Sequence, residues 1–118
     1  MKIILWGLGM LLSVVSFSQT ISAARSAAIG STVTVTGIVL NGSELGPIRY
    51  IQDATGGIAA YSGTQLTNVK RGDSVSITGS ITSFNGLIEI VSPSFSANVI
   101  ASGKTVPAPL VTSALAGF

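Results

Sequence analysis

Residues 50–61, "YIQDATGGIAAY", place Asp53 just ahead of a Gly-Gly pair, between apolar runs that each carry a tyrosine. A carboxylate there has three possible uses: general acid or base, metal ligand, or hydrogen-bond acceptor for its own turn. The first two need partners. The only other acids of the chain are Glu44, Asp73 and Glu89, and none stands at the i, i+2 or i+4 spacing of a calcium loop. There is no histidine and no cysteine, which removes the commonest general base, the commonest metal ligand, thiol nucleophiles, thiolate zinc sites and disulfides. Serine and threonine abound, yet without an activating base none is a nucleophile. Lys70 or Lys104 is the only candidate for that base, and nothing places either beside a serine. Asp53 therefore reads as the corner of an Asx-type turn accepting amides two residues on, with Gly56 and Gly57 supplying positive φ. Asp73, after Gly72, reads as a second turn. The sequence predicts no catalytic residue, no metal site and no cofactor.

Recognition chemistry remains. Arg49, Tyr50, Tyr61, Lys70, Arg71 and Phe84 are the aromatic and cationic residues that could line a ligand groove, the rings by stacking and the cations by meeting phosphates. The alternative is that the tyrosines close the edge of a barrel, Phe84 plugs it, and Arg49 is a solvated neighbour. Charge argues against strong phosphate-driven affinity. Arg25, Arg49, Lys70, Arg71 and Lys104 face four acids, so the chain beyond residue 18 carries +1 and has no basic run longer than Lys70-Arg71.

The elements that must position these residues are mostly strands. "TVTVTGIVL" alternates threonine with valine from Thr32 onward, as a half-buried strand does. "PIRYIQD", "GIAAY", "SVSITGSIT" and "GLIEIVS" follow, with "FSANVIAS" pairing along an edge. Breakers separate them at Asn41-Gly42, Gly46-Pro47, Gly56-Gly57, Gly72-Asp73 and Asn85-Gly86. Thr64 to Lys70 is the one helix-compatible gap. Ahead of the strands, Ser22 as N-cap, Ala23 to Ala28 and a stop at Gly30 predict a short helix, with Ile21, Arg25, Ala28 and Ile29 on one face. "TVTVTGIV" and "SVSITGSI" share an isolated mid-strand glycine, Gly37 or Gly79, of the sort that marks a bulge or bend where a small closed barrel turns.

Hydrophobic residues are 47% of the 118-residue chain and charged residues 8%, against about 25% charged in soluble proteins. Part of that bias lies in "MKIILWGLGMLLSVVSFS": a single cation at Lys2, an apolar run from Ile3 to Leu12, then small residues. Ser16 and Ser18 fit signal-peptidase cleavage before Gln19, and the run is short for a membrane span, which needs about 20 residues. The expected organisation is a signal peptide over 1–18, a folded domain over 19–103, and a Pro-Ala-Pro linker over 104–118 leading into a further element. The protein is expected to be secreted, periplasmic or on the cell surface, with no membrane contact in the mature form, and monomeric.

Five strands, bent first and fourth, with a short helical link between the third and fourth, describe a five-stranded barrel of the oligonucleotide/oligosaccharide-binding (OB) type, all-β with a short N-terminal helix. The segments "VTVTGIV", "IRYIQDATGGIAAY", "VKRGDSVSITGSI" and "FNGLIEI" resemble the OB-type domains of secreted bacterial proteins, particularly of the Bacteroidetes type, which precede extracellular nuclease or phosphoesterase modules. The spacing of Ile51, Asp53, Gly56 and Ile58 is similar to strands two and three of single-strand-binding OB folds. That resemblance implies a non-catalytic accessory module holding single-stranded nucleic acid beside a C-terminal domain of a longer protein. A ligand-free structural spacer and a carbohydrate-binding module are the competing readings.

Overall fold

The computed structural model describes residues 18–109. The expected signal peptide, apart from its last residue, and residues 110–118 of the expected linker lie outside them.

Strands β1 (Thr32–Val39), β2 (Ile48–Gln52), β3 (Gly57–Tyr61), β4 (Ser74–Phe84) and β5 (Leu87–Ala101) close into a barrel in the order β1-β2-β3-β5-β4. All pairings are antiparallel except β3 with β5, where Ala59 meets Glu89 and Ala60 meets Ile90. The molecule is thus an all-β, five-stranded OB-type barrel, with one short α-helix among the described residues. Valine and isoleucine of the period-two runs point inward: Val33, Val35 and Val39 of β1 pack with Val75, Ile77 and Ile81 of β4, Ile51, Ile58 and Ile90. Threonine and serine take the outer face, where Thr34 and Thr78 share a hydroxyl–hydroxyl hydrogen bond of 2.8 Å.

Both mid-strand glycines stand where another chain segment comes too close for a side chain. A Cβ on Gly37 would lie 2.7 Å from the Gln52 carbonyl oxygen, at the point where β1 leaves β4 for β2. A Cβ on Gly79 would lie 2.7 Å from both Ile90 Cγ2 and the Val91 oxygen. The β4–β5 register breaks there: β4 advances from Thr78 to Ser80 while β5 retreats from Ser96 to Val91. The segments expected as a fifth strand and a separate edge run are one fifteen-residue strand, folded over β4 around a cis Ser92–Pro93 bond and a positive φ at Ser94.

Two local expectations are corrected. The helix, α1 (Ile21–Arg25), is capped by Thr20 rather than Ser22: the Thr20 hydroxyl accepts from the Ala23 amide at 3.1 Å. It buries Ile21 and Ala24, while Ile29 stays 62% exposed. Residues 62–73 form turns rather than a helix. Leu66 and Val69 plug the barrel from this loop, and their carbonyls are needed elsewhere. A helix would have turned those carbonyls onto its own amides.

Candidate nucleic-acid interface

The Asp53 turn sets the geometry of the β2–β3 hairpin. Its Oδ1 accepts from the Thr55 amide (2.7 Å), the Thr55 hydroxyl (2.6 Å) and the Gly56 amide (3.1 Å), and Oδ2 accepts from the Ile21 amide at 2.9 Å. Partial burial works to raise this carboxyl's pKa. The hydrogen bonds from Thr55 and from the Ile21 and Gly56 amides outweigh that and hold it below the usual value. Asp53 thus serves as the corner the sequence indicated, and also ties the helix start to the barrel. Gly56 and Gly57 are not in the left-handed region, contrary to expectation. The side chain of Asp53, rather than glycine freedom, makes the turn. Asp73 does the same before β4, accepting from the Lys70 amide at 2.8 Å.

Alternation then sorts β2 and β3 into two faces. Ile51, Ile58 and Ala60 join the core, so Ile48, Tyr50, Ala59 and Tyr61 face outward. Tyr50 pairs with Ala59 and Ile48 with Tyr61, which makes the two tyrosines diagonal neighbours on one surface. Tyr61 is 46% exposed and Tyr50 half-buried. The same logic continues across the barrel. Ala59 pairs with Glu89, and Glu89 with Thr82, giving an outer row Tyr50–Ala59–Glu89–Thr82. Phe84, 63% exposed, pairs with Leu87 one row away, next to the turn of Asn85 and Gly86, both at positive φ. The loop between β1 and β2 is pinned beside this row. Asn41 Oδ1 accepts from the Tyr50 amide at 2.7 Å, and its Nδ2 donates to the Ile48 and Gly42 carbonyls.

The cations separate. Arg71 is exposed and borders the row: its Nη1 donates to the Leu40 carbonyl at 2.9 Å, and the Leu40 amide donates to the Tyr50 carbonyl at 2.8 Å. Lys70 is exposed beside it, and Lys104 lies against the same corner, its backbone amide donating a hydrogen bond to the Gly72 carbonyl at 2.8 Å. Arg49 is not a surface cation. It is in phase with Ile51, only 2% exposed, and its guanidinium donates to the carbonyls of Val69 (2.9 Å), Leu66 (3.0 Å), Gly46 (2.6 Å) and Ile48 (3.0 Å). It locks the 62–73 loop onto the barrel. The structure therefore brings Tyr50, Tyr61 and Arg71 to one face with Lys70 at its edge, sets Phe84 at the far end of β4 from those cations, and withdraws Arg49 into the wall.

Two features of this face were not singled out from sequence. Glu89, 7% exposed, occupies its centre, and burial raises its carboxyl pKa. The Pro-Ala-Pro segment folds back instead of leaving: Gln52 Nε2 donates to the Ala108 carbonyl at 3.0 Å, and Thr105 and Pro107 shelter Ile38 in a cleft of about 410 Å³. Among the described residues there is no cluster of three or more potential metal ligands, and no helix is long and apolar enough to cross a membrane.

Comparison with known proteins places this surface in context. No protein-family model matches the chain. Over 98 residues it is 38% identical to the endonuclease YhcR of Bacillus subtilis (strain 168); the match takes in 76% of this chain, which spans 8% of that protein's length. Among solved structures it is similar to the hypothetical protein ygiW from E. coli, with a TM-score of 0.60 and 19% identity over 72% of this chain and 91% of that one. It is also similar to the p204 HINb domain, with a TM-score of 0.55 and 26% identity over 71% of this chain and 47% of that one. These structural likenesses agree with the OB-type barrel, and the likeness to YhcR ties the chain to one small region of a much longer endonuclease.

Proposed function

We propose that the chain is a non-catalytic, exported accessory module whose outer β2–β3–β5 face holds single-stranded nucleic acid for a nuclease module of a longer protein. The observation that carries this reading is the pair of diagonal tyrosines on one open face, with Arg71 fixed at its border. Bases stack on Tyr61 and Tyr50, Phe84 extends the platform, and phosphates pass Lys70 and Arg71. The similarity to an endonuclease supports the partner class, and the unbroken apolar run from Ile3 to Leu12 supports export.

Fluorescence anisotropy of the full chain with a labelled single strand of about a dozen nucleotides tests it, that length matching the site size of such a barrel. Binding at low salt is expected, with Tyr61→Ala weakening it by about 1–3 kcal/mol, the worth of one stacked base. With only Lys70 and Arg71 meeting phosphates, the log–log salt dependence should have a shallow slope of about −1 to −2. No binding at low salt would replace this reading with that of a ligand-free spacer.

A further inference from the structure

Every other acid among the described residues is engaged. Asp53, Asp73 and Glu44 each accept backbone amides. Among the described residues the Glu89 carboxylate has no hydrogen-bond or ion-pair partner, although the residue is only 7% exposed. No wholly buried side-chain oxygen or nitrogen among the described residues lacks a partner. With no partner among the described residues, the Glu89 carboxylate therefore keeps some contact with solvent although the residue as a whole is nearly covered. Register fixes what surrounds them. Only the methyl of Ala59 separates Glu89 from Tyr50 along the row, and Tyr61 and Phe84 are its diagonal neighbours. Burial also raises the carboxyl's pKa, so the group is held at a cost. The neighbouring strand β4 fills its outward positions from Ser74 to Thr82 with serine and threonine, so a carboxylate is not what this surface otherwise uses.

We propose that Glu89 is the base-selecting residue of this face, accepting from the amino edge of a base stacked on the surrounding rings. The inference rests on the nucleic-acid reading above. A carboxylate only accepts. Guanine offers it two adjacent donors, N1–H and the N2 amino group, which match the two oxygens. Cytosine and adenine each offer an amino group. Thymine presents a single N–H between two carbonyls, and those carbonyls are repelled. Phosphate is repelled as well, so the backbone must run along the Arg71 border with its bases turned inward. The face thus prefers strands containing guanine, then cytosine or adenine, over all-thymine strands.

The test is a competition by fluorescence anisotropy at low salt. The full chain is bound to a labelled thymidine strand, and unlabelled strands that are all-thymine or carry guanines in a thymine background compete for it. The guanine-containing strand is expected to bind about tenfold tighter, the scale of one good two-bond base contact. Glu89→Gln, which keeps the shape and removes the charge, should shrink that gap and bind the all-thymine strand at least as well as the wild type does. Equal binding of both strands by the wild type overturns the inference while leaving the nucleic-acid reading standing. So does a Glu89→Gln variant that keeps the full preference. Failure of every strand to bind removes both.

Discussion

Arg49 on β2 and Glu89 on β5 lie on the two strands that flank β3, both nearly covered and both charged, and they differ in how their charges are met. Arg49 belongs to the inner set, in phase with Ile51 and opposite Ala60, and donates four hydrogen bonds to carbonyls. Glu89 belongs to the outer set, opposite Ala59, and accepts none from the described residues. A buried charge with its hydrogen-bonding capacity filled is part of the wall, because removing it strands the groups it satisfies. A nearly buried charge with its capacity open destabilises the fold, and its chemistry is left for something outside the chain.

The largest expected effect breaks the inner half of this comparison. Arg49→Ala strands the Val69 carbonyl, leaves the Leu66 carbonyl with only the Val69 amide, opens a cavity in the wall, and should lower the unfolding free energy by about 3–5 kcal/mol in urea titrations. Arg49→Lys keeps the charge without the planar fork and should recover only part of it. If Arg49→Ala instead leaves stability intact and abolishes ligand binding, the assignment of Arg49 to the wall is wrong. Next in size, Gly37→Ala drives a methyl group into the Gln52 backbone and should cost about 1–3 kcal/mol by the same measurement.

Asp53 and Glu89 sharpen the outer half, because their pKa values move in opposite directions. The Asp53 value is depressed below 3.8, so its contribution is fully present above that pH and is lost as pH falls through the folded-state value. Asp53→Ala should remove about 1–2 kcal/mol near neutrality, the scale of a lost helix-terminal acceptor, and flatten the acid limb of the stability profile. The Glu89 value is raised above 4.5, so its ionised form is a penalty at neutral pH that disappears as pH falls through the folded-state value. Glu89→Gln should therefore raise the urea midpoint slightly at pH 7 and not at all below pH ~4. This is the smallest shift, and its sign decides it. A drop in stability at pH 7 would mean that Glu89 has a structural partner after all.

Strand positions and the core were legible because the period-two alternation of Thr with Val, and of Ser with Ile, is unambiguous. The Asp53 turn was legible because its hydrogen bonds are local. Arg49 was not. In "IRYIQ" either parity carries an isoleucine, so the sequence leaves open which face turns inward, and Arg49 and Tyr50 exchange roles with that choice. The inward parity is settled by Ile58 and Ala60 across the hairpin, a non-local fact. Glu89, between Ile88 and Ile90, could have been read as outward. Its burial could not, since that depends on β3 arriving alongside β5. The continuity of β5 was hidden by Pro93, which reads as a strand end.

The fold-back of residues 104–108 bears on how such a module could be joined to others. Its anchor, Gln52, is two strand residues from Tyr50, about 7 Å along β2. Polypeptide attached beyond Pro109 starts its path from the flank of the aromatic face rather than from a remote pole of the barrel. A neighbour tethered there would be held at raised local concentration around whatever that face holds.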